Sequence, residues 1–383
     1  MSISFIITTY NIAPYILQCL ESLKPCVKPG DQVILVDDGS TDETETVIRD
    51  FIRREGFGPG ITWTPIWLGT NTIGGVGIPG NIGINHAECD TIFFVDGDDY
   101  MIPPEFLRAR AEYEAAPSDI HFTDYLEFDQ QKQKTKLPAD HLKWARVTAA
   151  RDPEAIRIAA INLIAVPWRK FYRTRFLIEN NIRFPEGAFF FEDNPFHWQV
   201  CMAAQKIGFS RRIVCHHRIN RPGQTMASTG NELSAFFTHF RTILSMLPPE
   251  SQSLRLQASQ WLLGNMSWHI GRLQPGAFMS YAHQAKAALR LIPDADWDGP
   301  VTDAMADTVT WHYANRLRSG HTWDVIEAWR QNASNQATQA AIRALNSRLQ
   351  LLEADIKKIR DTTLAQAAIN EFDALQRITG NMS

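Results

Sequence analysis

The chain lacks several features that would define other classes of protein. Cysteine is scarce: Cys19, Cys26, Cys89, Cys201 and Cys215 are the only five in 383 residues, and no pair has CxxC spacing. An odd, scattered set excludes a disulfide framework or a metal knuckle and points to free thiols in a reducing compartment. No run of about 18 apolar residues occurs, so no membrane-spanning helix is expected. No basic segment followed by a long apolar one opens the chain, so no secretory leader is expected. An excess of one charge is also missing. The 38 Lys and Arg against 42 Asp and Glu leave a net charge of −4, which offers no general attraction for nucleic acid. The expected setting is cytoplasmic, with peripheral docking on the inner face of a membrane left open. What is present is an ordinary globular composition, 44% hydrophobic and 10% aromatic, in a chain long enough for two or three domains.

Residues 1–125 alternate short apolar runs with helical patterns. Ile3–Thr8 and Gln32–Val36 read as strands, and Thr91–Val95 as a third. Between them, Pro14–Leu23 reads as a helix with Asn11 available as its cap, and Glu43–Arg54 as a second helix capped by Ser40 or Thr41. Pro103–Ala115 is a further helix. This alternation predicts an α/β domain built on parallel βαβ units. Residues 126–230 are mixed, with a polar loop expected over Gln130–Lys136. From 231 to 383 strand signals vanish, and an all-helical region is expected with breaks at Pro248-Pro249, Pro275-Gly276 and Pro293. The expected domains are therefore 1–230 and 231–383. Within the second, Ile342, Leu345, Leu349, Leu352, Ile356 and Ile359 alternate steps of three and four, a heptad seam of about three repeats. Such a seam serves either packing within its own domain or a homodimer. Trp261, Trp268, Trp311, Trp323 and Trp329 fit core positions at helical spacing, or stacking platforms for sugars.

The chemistry concentrates at strand ends. Thr91–Val95 runs into Asp96-Gly97-Asp98-Asp99, three carboxylates in four residues. Such crowding is costly unless a cation or water relieves it, and hard oxygen ligands suit Mn²⁺ or Mg²⁺; a solvated acidic turn is the simpler reading. Ligands in open parallel sheets sit at the carboxyl ends of strands. Three such ends here are polar: Thr8-Thr9-Tyr10-Asn11, Asp37-Asp38-Gly39-Ser40 and the acidic cluster. Gly75-Val-Gly-Ile-Pro-Gly80 satisfies the GxGxxG pattern, yet no strand directly precedes it and only about eight residues remain for a helix after it. A close-approach loop beside a nucleotide is the better expectation. Downstream, Glu192-Asp193 follows three phenylalanines. It suits a general base raised by desolvation, or a helix N-terminal acid pair favoured by the dipole. Cys215-His216-His217-Arg218 with Arg221, in a segment running to Thr225 and Ser228, suits contact with metal and phosphate, or an ordinary strand.

Taken together and in this order, these segments resemble family-2 nucleotide-sugar glycosyltransferases of the GT-A fold, in their capsule and lipopolysaccharide branch. The resemblance covers residues 2–228. It rests on Ser4-Phe-Ile-Ile-Thr-Thr-Tyr-Asn11, Val36-Asp-Asp-Gly-Ser-Thr-Asp42, Asn81-Ile-Gly83, Phe94-Val-Asp-Gly-Asp-Asp99, Trp168–Arg173, Arg183–Gly187 and Glu192-Asp193. Pro79-Gly80 stands where the family usually has Ala-Arg, so no arginine role is carried over there. The resemblance implies a mixed, mainly parallel sheet flanked by helices. It further implies donor contacts from Thr9, Tyr10, Asp37, Asp38, Asn81, Asp96, Arg218 and Arg221. Metal ligands would come from Asp98 and Asp96 with His216 or His217, leaving Asp99 to cap the following turn. Asp193, with Glu192 beside it, would be the base. The implied activity is metal-dependent, inverting transfer of a sugar from a nucleotide-diphosphate sugar, such as a UDP-sugar, to a saccharide or lipid-linked saccharide. Competing readings are a nucleotidyltransferase of the sugar-nucleotide pyrophosphorylase kind and a non-catalytic helical scaffold. The first wants a basic residue just after the first strand, where this chain has Tyr10-Asn-Ile-Ala-Pro14.

Overall fold

The structure, a computed structural model, describes residues 1–187, 190–223 and 229–380. The chain divides into two compact units, Met1–Thr322 and Trp323–Ser383. Nine strands of the first unit form one sheet: β1 (Ile3–Thr9), β2 (Gln32–Asp37), β3 (Thr62–Trp67), β4 (Thr91–Asp96), β5 (Tyr100–Met101), β6 (Ile120–Asp129), β7 (Lys134–Lys136), β8 (Lys170–Arg173) and β9 (Ile207–Ile219). The order is β3-β2-β1-β4-β8-β6-β9-β5, with β7 beside β6. β3, β2, β1 and β4 are mutually parallel. Antiparallel β8 joins them to β6.

The expected α/β domain is therefore present, and its physical cause is plain in the strands. Every residue of β1 and β2 is buried, as strands covered by helices on both faces require. Helices α1 (Ala13–Leu23), α2 (Thr44–Arg54), α3 (Gly77–Asn85) and α4 (Pro103–Ala115) provide cover. On one face Phe5, Phe93, Phe106 and Phe171 pack ring to ring at 4.9–6.2 Å. Phe94 faces the other way, onto Tyr172, Phe184 and Phe196. A buried ion pair locks the base of the sheet: Arg110 of α4 donates to both oxygens of Asp31 at 2.6 and 2.9 Å, and Asp31 also accepts from the Ile3 N–H.

Several local expectations are corrected. β3 was not expected. It carries Pro65 and is nowhere fully buried, as an edge strand permits. The residues 130–136 form the turn and return strand of a hairpin, because β7 pairs with the end of β6. Asn11 does not cap α1. It adopts φ +50°, and its side-chain oxygen accepts from the Thr41 and Asp42 amides at 2.8 and 3.3 Å, tying the first strand end to the second. Ser40 likewise bonds Asp37 and does not cap α2. The helical region has its breaks where the prolines stand, between Ala235–Met246, Gln252–Ile270 and Phe278–Leu289. The chain does not divide at residue 230, however. Trp261 Nε1 donates to Asn194 Oδ1 at 3.2 Å, His239 pairs with the Phe190 carbonyl at 2.7 Å, and Ser253 Oγ donates to Glu154 at 2.7 Å.

The glycine-rich segment is a helix start. α3 begins at Gly77, earlier than the spacing suggested. Its glycines allow close packing: a Cβ on Gly83 would lie 2.3 Å from Ile6 Cγ2, in the fully buried β1. Gly83→Ala is expected to destabilise the fold by roughly 1–3 kcal/mol, the usual range for overpacking, seen as a lower urea midpoint. An unchanged midpoint would contradict the tight α3–β1 contact.

Candidate active site

Register brings three of the polar segments together. Thr9 pairs with Asp37 and Thr8 with Asp96, so β1, β2 and β4 end on one edge. The fourth segment arrives by a different route. β5, directly after the acidic cluster, pairs Tyr100 with His216 and Met101 with Cys215. That two-residue strand docks the end of β9 on the acidic cluster, with His217 on the Asp99 carboxylate and Arg218 on the Asp98 backbone carbonyl, 118 and 120 residues earlier.

The cluster turns back on itself, with the Asp99 N–H donating to the Asp96 carbonyl at 3.0 Å. Asp96 and Asp99 thereby share a side with His217, and ligand atoms of the three lie within 4.8 Å of one another. His217 Nδ1 pairs with Asp99 Oδ2 at 2.9 Å, and Asp99 Oδ1 accepts from the Arg218 N–H at 2.7 Å. Burial, then the neighbouring carboxylates Asp99 and Asp98, push the Asp96 carboxyl well above its ordinary value. Burial also raises Asp99, although His217 opposes it. Burial alone would lower His217, but Asp99 outweighs that and the imidazole is pushed up to about 9. Trp168 stacks on the ring of His217 at 4.8 Å and fixes its plane.

The structure places the expected metal residues apart. Asp99, expected to cap a turn, lies beside Asp96 and His217. Asp98, expected as a ligand, has its carboxylate ion-paired with Arg221. His216 points elsewhere and stacks on Tyr100 at 4.6 Å; alternation along β9 sends it to the face opposite His217. The set Asp96, Asp99 and His217 fits a small divalent ion, since two crowded acids lack enough positive charge nearby and an O,O,N donor set suits Mn²⁺.

Several expected donor contacts are occupied by internal work. Asp37 accepts from Thr9 Oγ1, the Ser40 N–H and Ser40 Oγ at 2.7–2.8 Å. Asp38 accepts from Asn71 and from the amide and hydroxyl of Thr72 at 2.9–3.0 Å, which closes the loop after β3. Asn81 is buried, and its amide binds the Phe184 carbonyl, the Phe184 N–H and Glu186 at 2.8–2.9 Å. It positions the 184–186 segment. Arg218 is buried too. It donates to the Asp98 carbonyl and to Gln18 at 2.7 Å, bonds Gln130, and lies over Tyr15 at 4.7 Å. Arg221 remains at the rim with its side chain 14% exposed, and Tyr10 is 45% exposed. Thr225 and Ser228, at the end of the same segment, lie outside the described residues.

Glu192 and Asp193 also separate. Glu192 is buried, accepts from the Gly77 N–H at 2.9 Å, and so caps α3. A Cβ on Gly75 would lie 2.5 Å from its carboxylate, so the glycine loop closely approaches Glu192. Asp193 opens the helix Asp193–Ala203. Its Oδ1 accepts from Asn194 Nδ2 at 2.9 Å. Burial raises its carboxyl, and the buried Lys170 ammonium partly opposes that. Its charge adds a small part to the rise of the Asp96 carboxyl. Sequence reasoning passed over Lys170, whose Nζ is held by the Val166 carbonyl at 2.6 Å.

A mixed, mainly parallel sheet of this order, with an acidic cluster at a strand end, is the GT-A fold. Residues 4–191, just under half of the chain, match the family model "Glycosyl transferase family 2", which assigns that segment to the family. It is 28% identical over 207 residues to the glycosyltransferase EpsJ of Bacillus subtilis, covering 54% of this chain and 57% of that one. It is 29% identical over 246 residues to the poly(ribitol-phosphate) β-N-acetylglucosaminyltransferase TarS of Staphylococcus aureus, covering 63% of this chain and 40% of that one. The chain therefore spans between about two fifths and three fifths of these relatives. In three dimensions it is similar to TarS residues 1–349 in complex with UDP-GlcNAc, with a TM-score of 0.66, 22% identity, and coverage of 87% and 92% of the two chains. Among the described residues, no helix is long and apolar enough to cross a membrane.

Glu192 yields a test of the site's construction. Burial pushes its carboxyl from an ordinary 4.5 up to about 7. The folded state thus holds this proton more tightly than the unfolded chain. The associated stability is fully present below about 4.5 and is lost as pH rises through about 7. Glu192→Gln keeps an acceptor for the Gly77 amide and removes the titration. The variant is expected to flatten the fall in unfolding free energy between these pH values by at most about 1.4 kcal/mol per pH unit. Identical slopes in denaturant titrations of both proteins would contradict the buried placement.

Proposed function

We propose that this chain transfers a sugar from a nucleotide-diphosphate sugar, a UDP-sugar, to a hydroxyl of a saccharide or lipid-linked saccharide acceptor in surface polysaccharide biosynthesis, with inversion at the anomeric carbon. The observation that carries the proposal is the Asp96–Asp99–His217 cluster at the strand ends, with the buried Asp193 carboxylate within its electrostatic reach. In this reading the cluster is the site for a charged leaving group and Asp193 is the base. The UDP-GlcNAc held by the similar TarS structure supports a donor of that kind.

In this reading Tyr10 offers its exposed face to the nucleotide base, and Thr9, Asp37 and Asp38 shape the pocket floor beside it. Asp96, Asp99 and His217 would hold a divalent ion, which when bound would supply positive charge to the departing nucleoside diphosphate. Arg221 can exchange Asp98 for a phosphate oxygen and adds to that charge. Asp193 accepts the proton from the acceptor hydroxyl as the oxygen attacks the anomeric carbon, while the bond from that carbon to the diphosphate oxygen breaks. Desolvation favours this step because it makes the Asp193 carboxylate a stronger base than it would be in water. Asn194 fixes its orientation, and Lys170, when protonated, partly offsets the rise that burial imposes on its carboxyl.

Asp193→Asn is expected to reduce turnover by about 10²–10⁴-fold while leaving donor affinity nearly intact. Nucleoside diphosphate release and isothermal titration with the donor read the two separately; normal turnover would refute the assignment. Asp99→Asn is expected to weaken Mn²⁺ binding by about 10–100-fold, measured by metal titration of the donor complex. Asp98→Asn should leave Mn²⁺ binding within a few-fold. The reverse order would restore Asp98 as the ligand.

A further inference from the structure

We propose that residues 342–359 of the C-terminal helix pair with the same segment of a second copy of this chain, as a parallel, in-register, two-stranded coiled coil. The helix runs over Thr322–Gly380, 59 residues. Its seam of Ile342, Leu345, Leu349, Leu352, Ile356 and Ile359 is 50–66% exposed at every position. A helix in water draws most of its stability from packing an apolar face, and this face has steps of three and four, the period of a partner helix.

The charges beside the seam identify the partner as another copy and fix its direction. With Ile342 at the first core position of the heptad, Arg348 and Asp355 precede the next core residues, while Glu353 and Arg360 follow the intervening ones. In a parallel pair each preceding residue faces the following residue five places on in the other chain. Arg348 then meets the partner's Glu353, and Asp355 meets the partner's Arg360. Both contacts join opposite charges, and symmetry makes each of them twice. In an antiparallel pair, where residues of one kind face each other, only Arg348 opposite the partner's Asp355 is complementary. Among the described residues Arg348, Glu353 and Asp355 have no ion pair of their own. The core points the same way. Isoleucine occupies two of three first positions and leucine two of three second positions, a pattern that favours two parallel strands. The zipper is also bounded. Extending the heptad reaches Asn335 and Thr338 on one side and Thr363 and Gln366 on the other, so the apolar contact stops after about 27 Å.

Sedimentation equilibrium of the full chain, across a hundredfold range of concentration, tests this. A reversible monomer–dimer equilibrium is expected. A monomer mass throughout, or a trimer, would overturn it. Arg348→Glu turns two attractive contacts into repulsive ones and should weaken association by roughly tenfold. Adding Glu353→Arg should restore it, while adding Asp355→Arg in its place should weaken it further. Restoration by Asp355→Arg and not by Glu353→Arg would mean an antiparallel pair and refute the register. Unchanged association in Arg348→Glu and in Leu352→Asp would place the contact on another surface. None of these substitutions touches the candidate active site, so donor binding serves as the control for folding.

Discussion

Negative charge buried at the end of β4 is the constraint that the surrounding structure answers. Two carboxylates about 4 Å apart repel by about 4 kcal/mol even at an effective dielectric near 20. Asp96 and Asp99 are held at such range, and Asp98 is next to both. The fold brings positive charge from far along the chain. β9 runs for 13 residues, and its last turns of strand place His217 on Asp99 and the Arg218 amide on the same carboxylate. β5 is only two residues long, yet it sets the register that makes this possible. Arg218 then ties the Asp98 carbonyl to Gln18 of α1, and Arg221 covers the Asp98 side chain. His217 and the guanidiniums of Arg218 and Arg221 face these acids, and a divalent ion bound there would take the place of the His217 proton, since only a neutral imidazole can ligate it.

The same accounting separates carboxylates that build the site from those left to act in it. A carboxylate has about four acceptor positions. Asp37 and Asp38 each fill three from within the chain, and their bonds join the ends of β1, β2 and β3 into one rim. Glu192 is committed to the start of α3. Asp193, one residue on, accepts only from Asn194 and at its own helix start. Adjacent acids therefore differ in their bonding: Glu192 fixes the start of α3, and among the described residues the Asp193 carboxylate is held only by Asn194 and its own helix start.

Much of this was legible in the sequence, and the failures share a cause. The buried strands of the parallel half could be read because both faces are covered, which leaves unbroken apolar runs such as Val33–Val36. β3 could not, since an edge strand with Pro65 has no such run. The strand-end polar segments and Asp193 were visible by type and order. Their division of labour was not, because it depends on a turn. The Asp99-to-Asp96 backbone bond carries Asp99 toward His217 and leaves Asp98 to Arg221, a choice that spacing alone does not make. The glycine loop was expected to lie close to a nucleotide; the groups that approach it are Glu192 and Phe184, more than 100 residues later, and nothing in Gly75–Gly80 says so.

The helices that follow residue 230 belong to the catalytic argument, not to an appendage. Phe191, immediately before the Glu192-Asp193 pair, sits at φ +65°, a conformation that costs a non-glycine residue roughly 1–2 kcal/mol. It is retained because its ring packs on Phe236 at 4.7 Å, and the neighbouring Phe190 carbonyl is bound by His239. Trp261 holds Asn194, which in turn orients Asp193. Each of these partners comes from the Ala235–Met246 or Gln252–Ile270 helix. The left-handed turn that aims the proposed base is thus stable only while those helices are in place. Substitutions among their aromatic residues would therefore disturb the placement of Asp193 through Phe191 and Asn194 while leaving the strand-end cluster itself untouched.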